Sequence, residues 1–394
     1  MRALFRARGR HKAKPETELS RSLEATTALH HVATIANRLP STGTRWLGFR
    51  KLCRLERMTR TVPVPIATRE FPGHPVLSAW SSVGGSPPDH VEQILRRGTR
   101  SKPALYRLDF TQAGRPGVFA KHGPAARIEP ERMVYESILP HVPVTSPRFH
   151  GACSEPDGTA WLFVEDVGDL RYSPDDRVHR ELAARWLGRM HGVTAAMPVR
   201  LPLPPAGQER YLGHLLSARA TILEHLGSKA FSAEHRAVLD AVLGQFDRLE
   251  SVWPQLERAC AAYPVTLLHA DFQPKNLRIR LSGGEPALHP IDWETAGWGV
   301  PAADLARLLR PGPVAHVAAP VYADTIREHL PQLDLAAIER LGVIGVVFQS
   351  LAGVNWSCAE LHFESADWLI EPINTIRLYV SRIQAALEAS GEWR

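Results

Sequence analysis

Two short apolar stretches, each running out into a polar loop, constrain this chain more than anything else in it. The first is Leu267-Leu268, which leads into His269-Ala270-Asp271-Phe272-Gln273-Pro274-Lys275-Asn276, and the second ends at Ile291-Asp292-Trp293-Glu294. Burying the apolar residues requires strands that deliver a carboxylate (Asp271), an amide five residues later (Asn276) and a second carboxylate sixteen beyond that (Asp292). Moving a phosphoryl group from ATP needs such a set. One carboxylate orients and deprotonates an acceptor hydroxyl, while an amide and a second carboxylate hold Mg²⁺ against the phosphates.

The interval from Asp271 to Asn276 equals that between aspartate and asparagine in the protein-kinase catalytic loop. Asp271 is therefore the expected base, and Asn276 and Asp292 are the expected metal ligands. Glu294 shares a strand face with Asp292 and can assist through a water. His269 is expected to be structural, its imidazole bonded to a backbone carbonyl so that the loop is held in place. The plain alternative is a pair of polar loops that merely cap strands, and the combined spacing argues against it.

A kinase also needs a cation on the α- and β-phosphates, set by a helix glutamate. Lys121 ends the strand Val118-Phe119-Ala120, about 150 residues before Asp271, and is expected in that role. Two glutamates in the helix that follows, Glu131 and Glu136, are candidate partners, and spacing does not choose between them. Arg97-Gly98-Thr99-Arg100-Ser101-Lys102 is the candidate phosphate-covering loop, although it has a single glycine.

At 394 residues the chain calls for two packed lobes, and its 44% apolar and 22% charged content is that of a globular protein. Cys53, Cys153, Cys260 and Cys358 stand far apart without a Cys-x-x-Cys pair, which argues against a zinc cluster or a disulfide framework and fits a cytoplasmic location. No secretory signal or membrane span is expected. The most apolar run, Leu341–Trp356, carries Gln349, Ser350 and Asn355 and reads as a buried helix.

The net charge of +6 is uneven, since residues 1–60 hold 14 Lys/Arg against 4 Asp/Glu. Such a tail suits a nucleic acid or an anionic membrane, or is simply a solvated extension. Residues 1–18 read as disordered and 20–39 as an amphipathic helix. Residues 62–88, rich in Pro, Gly and Ser, read as a linker that ends at Gly84–Pro88. Three divisions follow: a basic extension over 1–88, a β-rich lobe over 89–168 and a helical lobe over 169–394.

Within the small lobe, Ala104–Phe110 and Gly117–Lys121 are expected to pair as a hairpin, a helix is expected over 130–139 and a strand over Trp161–Val164. Helices are expected over 179–191, 208–226 and 233–259, and again from Ala302. Five strands and one helix followed by a helical body make an α+β, two-lobed, protein-kinase-like fold.

These residues resemble the aminoglycoside phosphotransferase and choline kinase-like superfamily of small-molecule kinases. The resemblance runs from Val91 to Tyr379 and is strongest at His269–Asn276 and Ile291–Leu309. It implies ATP and Mg²⁺, with a small-molecule hydroxyl compound as acceptor. By this resemblance Asp304 braces the loops, and Trp186–His191 belongs to a helix beneath the catalytic loop. Leu162–Asp166 is similar to the hinge that binds adenine, which marks Glu165 and Val167 as cofactor-binding. Glu131, four positions before Tyr135, becomes the partner of Lys121. Ala270 departs from the family's usual glycine, and Lys275 stands where a small residue is common.

Two other readings compete. A metallohydrolase would use His269, Asp271, His289 and Asp292, and a catalytically silent kinase fold would serve as an interaction module. Glu360, Glu364, Asp367 and Glu371 could line a pocket for a cationic acceptor or could be ordinary helix-surface charge.

Overall fold

The computed structural model describes residues 62–65, 73–95, 103–111 and 114–390. The basic tail, the helix expected over 20–39 and the loop Arg97–Lys102 lie outside the described residues.

The small lobe is a six-stranded antiparallel sheet in the order β1-β2-β3-β4-β6-β5, from β1 (Val62–Pro65), β2 (His90–Leu95), β3 (Ala104–Asp109), β4 (Val118–Pro124), β5 (Phe149–Ser154) and β6 (Thr159–Glu165). Side chains alternate between its faces. Val118, Ala120, Trp161 and Phe163 turn toward α1 (Pro75–Ser82), where Val76, Ala79 and Trp80 complete a compact apolar cluster. Leu162 and Val164 turn the other way, toward α2 (Ala125–Met133) and the π turn Val134–Ile138 that prolongs it. Lys121 pairs across the strands with Leu162 and shares that second face.

Two expectations need correction here. The extension expected over 1–88 does not stop at a linker, because β1 pairs with β2 and α1 packs Val76, Ala79 and Trp80 onto one face of the sheet. Pro75 is the helix start, at the first-turn position where its missing N–H costs nothing. The helix expected over 130–139 begins at Ala125, directly off β4, and Pro130 lies inside it.

The large lobe is helical: α3 (Arg177–Ala195), α4 (Gln208–His225), α5 (Ala233–Ala261), α6 (Ala302–Leu308), α7 (Ala318–Ile326), α8 (Leu335–Cys358) and α9 (Ala366–Ser390). The centre is α8, apolar all round and buried against α6, α4 and α9, as a core helix should be. It is the one described helix long and apolar enough to cross a bilayer, and two thirds of its apolar window is packed inside the lobe. Gly345 lets α6 approach, since a Cβ there would stand 1.8 Å from Ala302 O.

Two small antiparallel ribbons interrupt the helices. β7 (Thr266–Leu268) pairs with β10 (Gly297–Gly299). β8 (Leu277–Ser282) and β9 (Glu285–Pro290) form a hairpin closed by Gly283 and Gly284, with φ of 62° and 90°. Positive φ at both central residues is what a tight two-residue hairpin turn demands, and glycine adopts it freely.

Candidate active site

The hairpin explains how residues sixteen apart meet. Leu277 pairs with Pro290 at its open end, and Ile291 N donates to Asn276 O at 2.9 Å, so Asn276 and Asp292 emerge side by side. His269 adds a second tie, its Nε2 bonded to Ile291 O at 3.1 Å. Its other ring nitrogen faces Asp271 N at 3.4 Å. The imidazole thus joins the two loops through backbone groups.

Asp304, fully buried at the start of α6, accepts from His269 N and Ala270 N, each at 2.9 Å. Behind it, His191 of α3 lies 3.4 Å from Asp304 Oδ2 and 2.9 Å from Tyr322 OH. Gln349 of α8 donates to Ala270 O at 3.0 Å, and Thr295 Oγ1 donates to His269 O at 2.9 Å. With both backbone faces of the turn satisfied, Ala270 is held at φ 60°, a left-handed conformation that disfavours a side chain. Asp292 is held at φ 68°, which aspartate tolerates better. Trp186 stacks near Phe272 and Trp293 beneath the loops.

Asp271 is 8% exposed. Its Oδ2 accepts from Asn276 Nδ2 at 2.9 Å and pairs with Lys275 Nζ at 3.0 Å, and its Oδ1 accepts from Gln273 Nε2. Because Asn276 spends its amide nitrogen on Asp271, its oxygen is the side left to serve as a ligand.

Across the cleft, Lys121 Nζ lies 2.7 Å from Glu131 Oε2, 2.6 Å from Asp292 Oδ1 and 3.5 Å from Glu294 Oε2. Burial pulls the Lys121 pKa down, but the three carboxylates outweigh it and raise it, so the ammonium persists. Glu136 instead meets Arg132 on the surface of the lobe. Lys121 thereby ties the small lobe to the loop of Asp292.

At the lobe junction, Glu165 ends β6. Its side chain accepts from Arg280 Nη1 at 2.5 Å and from Arg148 N at 3.2 Å. Burial works against its charge, but these bonds prevail and its pKa is lowered. Asp166 N donates to Gly117 O, Asp166 Oδ1 accepts from Gly168 N, and Val167 between them is buried.

The metallohydrolase arrangement does not assemble. His269 has its nitrogens turned to backbone groups, and His289 projects from β9 as a partly desolvated imidazole beside Arg280. Among the described residues no group of three or more His, Cys, Asp or Glu could hold a metal by itself. The donors at Asn276 and Asp292 instead suit an ion that arrives with phosphate oxygens, as Mg²⁺ does. Glu360, Glu364, Asp367 and Glu371 are all solvent-exposed, at and beyond the end of α8. The bonds of Gln273 to Asp271, of Gln349 to Ala270 O and of Arg307 to Gln349 were not anticipated from the sequence, because only the fold brings these side chains to their partners.

Comparison with known proteins follows this geometry. Residues 62–337 match the model of the APH phosphotransferase enzyme family. No curated protein matches the chain. A microcompartment-associated aminopropanol kinase is 16% identical with a TM-score of 0.51, over 78% of this chain and 95% of that one. A variant of aminoglycoside 2′-phosphotransferase-IIIa in complex with GDP is 16% identical with a TM-score of 0.53, over 76% and 94%. Choline kinase from Cryptosporidium parvum is 13% identical with a TM-score of 0.51, over 77% and 90%. At these identities the structural likeness speaks for the fold, and it is the family match over most of the described residues that assigns the chain: it belongs to the APH phosphotransferase enzyme family.

Proposed function

We propose that this small-molecule phosphotransferase moves the γ-phosphoryl group of ATP to an acceptor hydroxyl. The observation that carries the reading is the convergence of two sets of groups: Lys121, Glu131 and Asp292 on one side, and Asp271 and Asn276 on the other, joined by the β8–β9 hairpin. Lys121 is a persistent cation suited to the phosphates. Asp292 and the amide oxygen of Asn276 are the ligands for nucleotide-borne Mg²⁺, which supplies charge neutralisation at the transferring group. Asp271 accepts the hydroxyl proton. Asp304, His191 and His269 hold its loop, and backbone groups of Glu165–Val167 provide an edge for the base of the nucleotide. The GDP complex of the aminoglycoside enzyme supports nucleotide use and makes GTP the alternative donor to test.

The test is the Asp271→Asn variant assayed for acceptor phosphorylation and nucleotide binding with both ATP and GTP. Loss of the base is expected to lower kcat by about 10²- to 10⁴-fold with nucleotide affinity within about twofold. A variant that keeps more than about a tenth of wild-type kcat removes Asp271 from that role.

A further inference from the structure

Asp271, the proposed base, carries an ammonium group on one of its oxygens. Lys275 Nζ lies 3.0 Å from Asp271 Oδ2, and Asn276 Nδ2 donates to that same oxygen at 2.9 Å. The backbone beneath the lysine is fixed. Pro274–Asn276 forms a 3-10 turn, Asn276 N donates to Gln273 O at 2.8 Å, and Arg278 Nη1 donates to Lys275 O at 2.7 Å. The side chain above it is free to move, being 58% exposed, and Asp271 is the partner of its Nζ among the described residues. An ammonium has three N–H donors, so two remain for another acceptor. An exposed ion pair four residues apart contributes little to stability, and stability therefore does not account for a lysine at this point of the loop.

The reaction does account for it. Asp271 has to come within one hydroxyl group of a triphosphate, and two anions at that range repel each other. Lys121 is already committed across the cleft, where Glu131, Asp292 and Glu294 share its Nζ at 2.7, 2.6 and 3.5 Å. In the transition state, charge spreads over the three equatorial oxygens of the transferring group, and a cation placed beforehand at those oxygens lowers the barrier. Asn276 indicates where that group lies. Its Nδ2 is spent on Asp271, and its oxygen is the side left for the ion that travels with the phosphates. Lys275 Nζ and Asn276 Nδ2 thus converge on one carboxylate oxygen, and the flexible four-carbon stem of the lysine carries its charge to the phosphate side of that oxygen.

We infer, on the phosphotransferase reading above, that Lys275 is a second catalytic residue whose ammonium bridges Asp271 Oδ2 and the oxygens of the transferring phosphoryl group. In the step itself the acceptor oxygen bonds to the γ-phosphorus as the bridging bond to ADP breaks. The hydroxyl proton passes to Asp271 and ADP leaves with the electron pair. Lys275 keeps its own protons throughout and contributes charge alone.

The experiment uses the full chain and its Lys275→Met and Lys275→Arg variants. Calorimetry measures the affinity for MgADP alone and then with aluminium fluoride, which mimics the transferring group in flight and requires no knowledge of the acceptor. The rate is read as ATP cleavage, with water or any hydroxyl compound that accelerates it as acceptor. In the wild type, absence of MgADP binding, or absence of both an aluminium fluoride gain and ATP cleavage, defeats the phosphotransferase reading itself and not only this inference. Where the wild type shows only one of the two, that one decides. Lys275→Met is expected to bind MgADP within about twofold of wild type but to lose at least about tenfold of the gain from aluminium fluoride. Its kcat should fall about 10²- to 10³-fold while the KM for ATP stays within about twofold. Lys275→Arg keeps the charge and should recover part of both losses, and the Tm of either variant should stay within about 1 °C of wild type. A methionine variant that keeps more than about a third of wild-type kcat overturns the assignment. Loss of kcat with the aluminium fluoride gain intact reduces Lys275 to orienting Asp271 and overturns the phosphoryl contact. A joint fall in Tm, MgADP affinity and kcat makes the lysine structural and overturns it equally.

Discussion

Replacing Asp304 by asparagine tests the brace under the catalytic loop almost without changing its shape. The carboxylate accepts two backbone N–H groups at 2.9 Å, one on each oxygen, and is fully buried. Asparagine offers one oxygen, so either the His269 or the Ala270 N–H must face an NH₂ group. Losing one charge-assisted bond with its donor left buried costs about 1.5–3 kcal/mol, and weakening the other to a neutral bond adds about 0.5–1 kcal/mol. A total of about 2–4 kcal/mol corresponds to a fall in Tm of roughly 4–8 °C for a body of this size. Catalysis should suffer separately, because a displacement of about 1 Å at a reacting group costs on the order of 10²-fold in rate. Calorimetric Tm and steady-state kinetics on the same preparation read both effects. Nucleotide affinity should stay within about threefold, since the ion cluster at Lys121 does not touch Asp304. A variant with Tm within about 1 °C of wild type and an unchanged kcat would refute the brace.

Gly345→Ala drives a methyl into Ala302 O, 1.8 Å from the added carbon, so α6 and α8 must part. Overpacking between helices that carry Asp304 and Gln349 should lower stability by about 3 kcal/mol or more and kcat with it, and thermal unfolding that matches wild type would exclude the close approach. Acid should destabilise the fold. Burial, aided by Arg148, Arg210 and Arg280 respectively, lowers the pKa of His150, His214 and His289. The unfolded chain therefore takes up protons first, and the stability present above the ordinary imidazole pKa of about 6.5 is lost as pH falls through the lower folded values. Tm measured from about pH 7.5 down to 5.5 should fall, and a flat or rising profile would contradict the assignment.

The two-lobed class was legible because its signals are local: the short β-prone and apolar runs of β4 and β6, helical periodicity in α3 to α5, and the polar loops after β7 and β9. The helix Pro75–Ser82 was not, because the prolines and glycines that flank it are also the residues of a linker, and only Trp80 buried on the sheet distinguishes the two. Strand β5 is half-exposed along its length and bulged near Gly151, so it has no alternation to read. In the site, the choice between Glu131 and Glu136 depended on which helix face meets β4. Five residues amount to well over a third of a turn of rotation, so only one of them can face Lys121, and periodicity alone does not say which.

The hairpin between Asn276 and Asp292 bears on how relatives of this chain should be recognised. Its open end is fixed by the Leu277–Pro290 pairing and the bond from Ile291 to Asn276, while its closed end is a glycine turn in which Gly283 and Gly284 meet nothing within 4 Å of an added Cβ. Residues added in matched pairs, one to each strand, lengthen the ribbon outward and leave the open end where it is. A single unmatched residue has to be absorbed as a bulge or a register slip, and a slip turns every side chain of that strand to the opposite face. The interval between the amide and the second carboxylate is thus elastic in parity rather than fixed in length, whereas the five-residue step from Asp271 to Asn276, wound into one tight turn, has no such freedom.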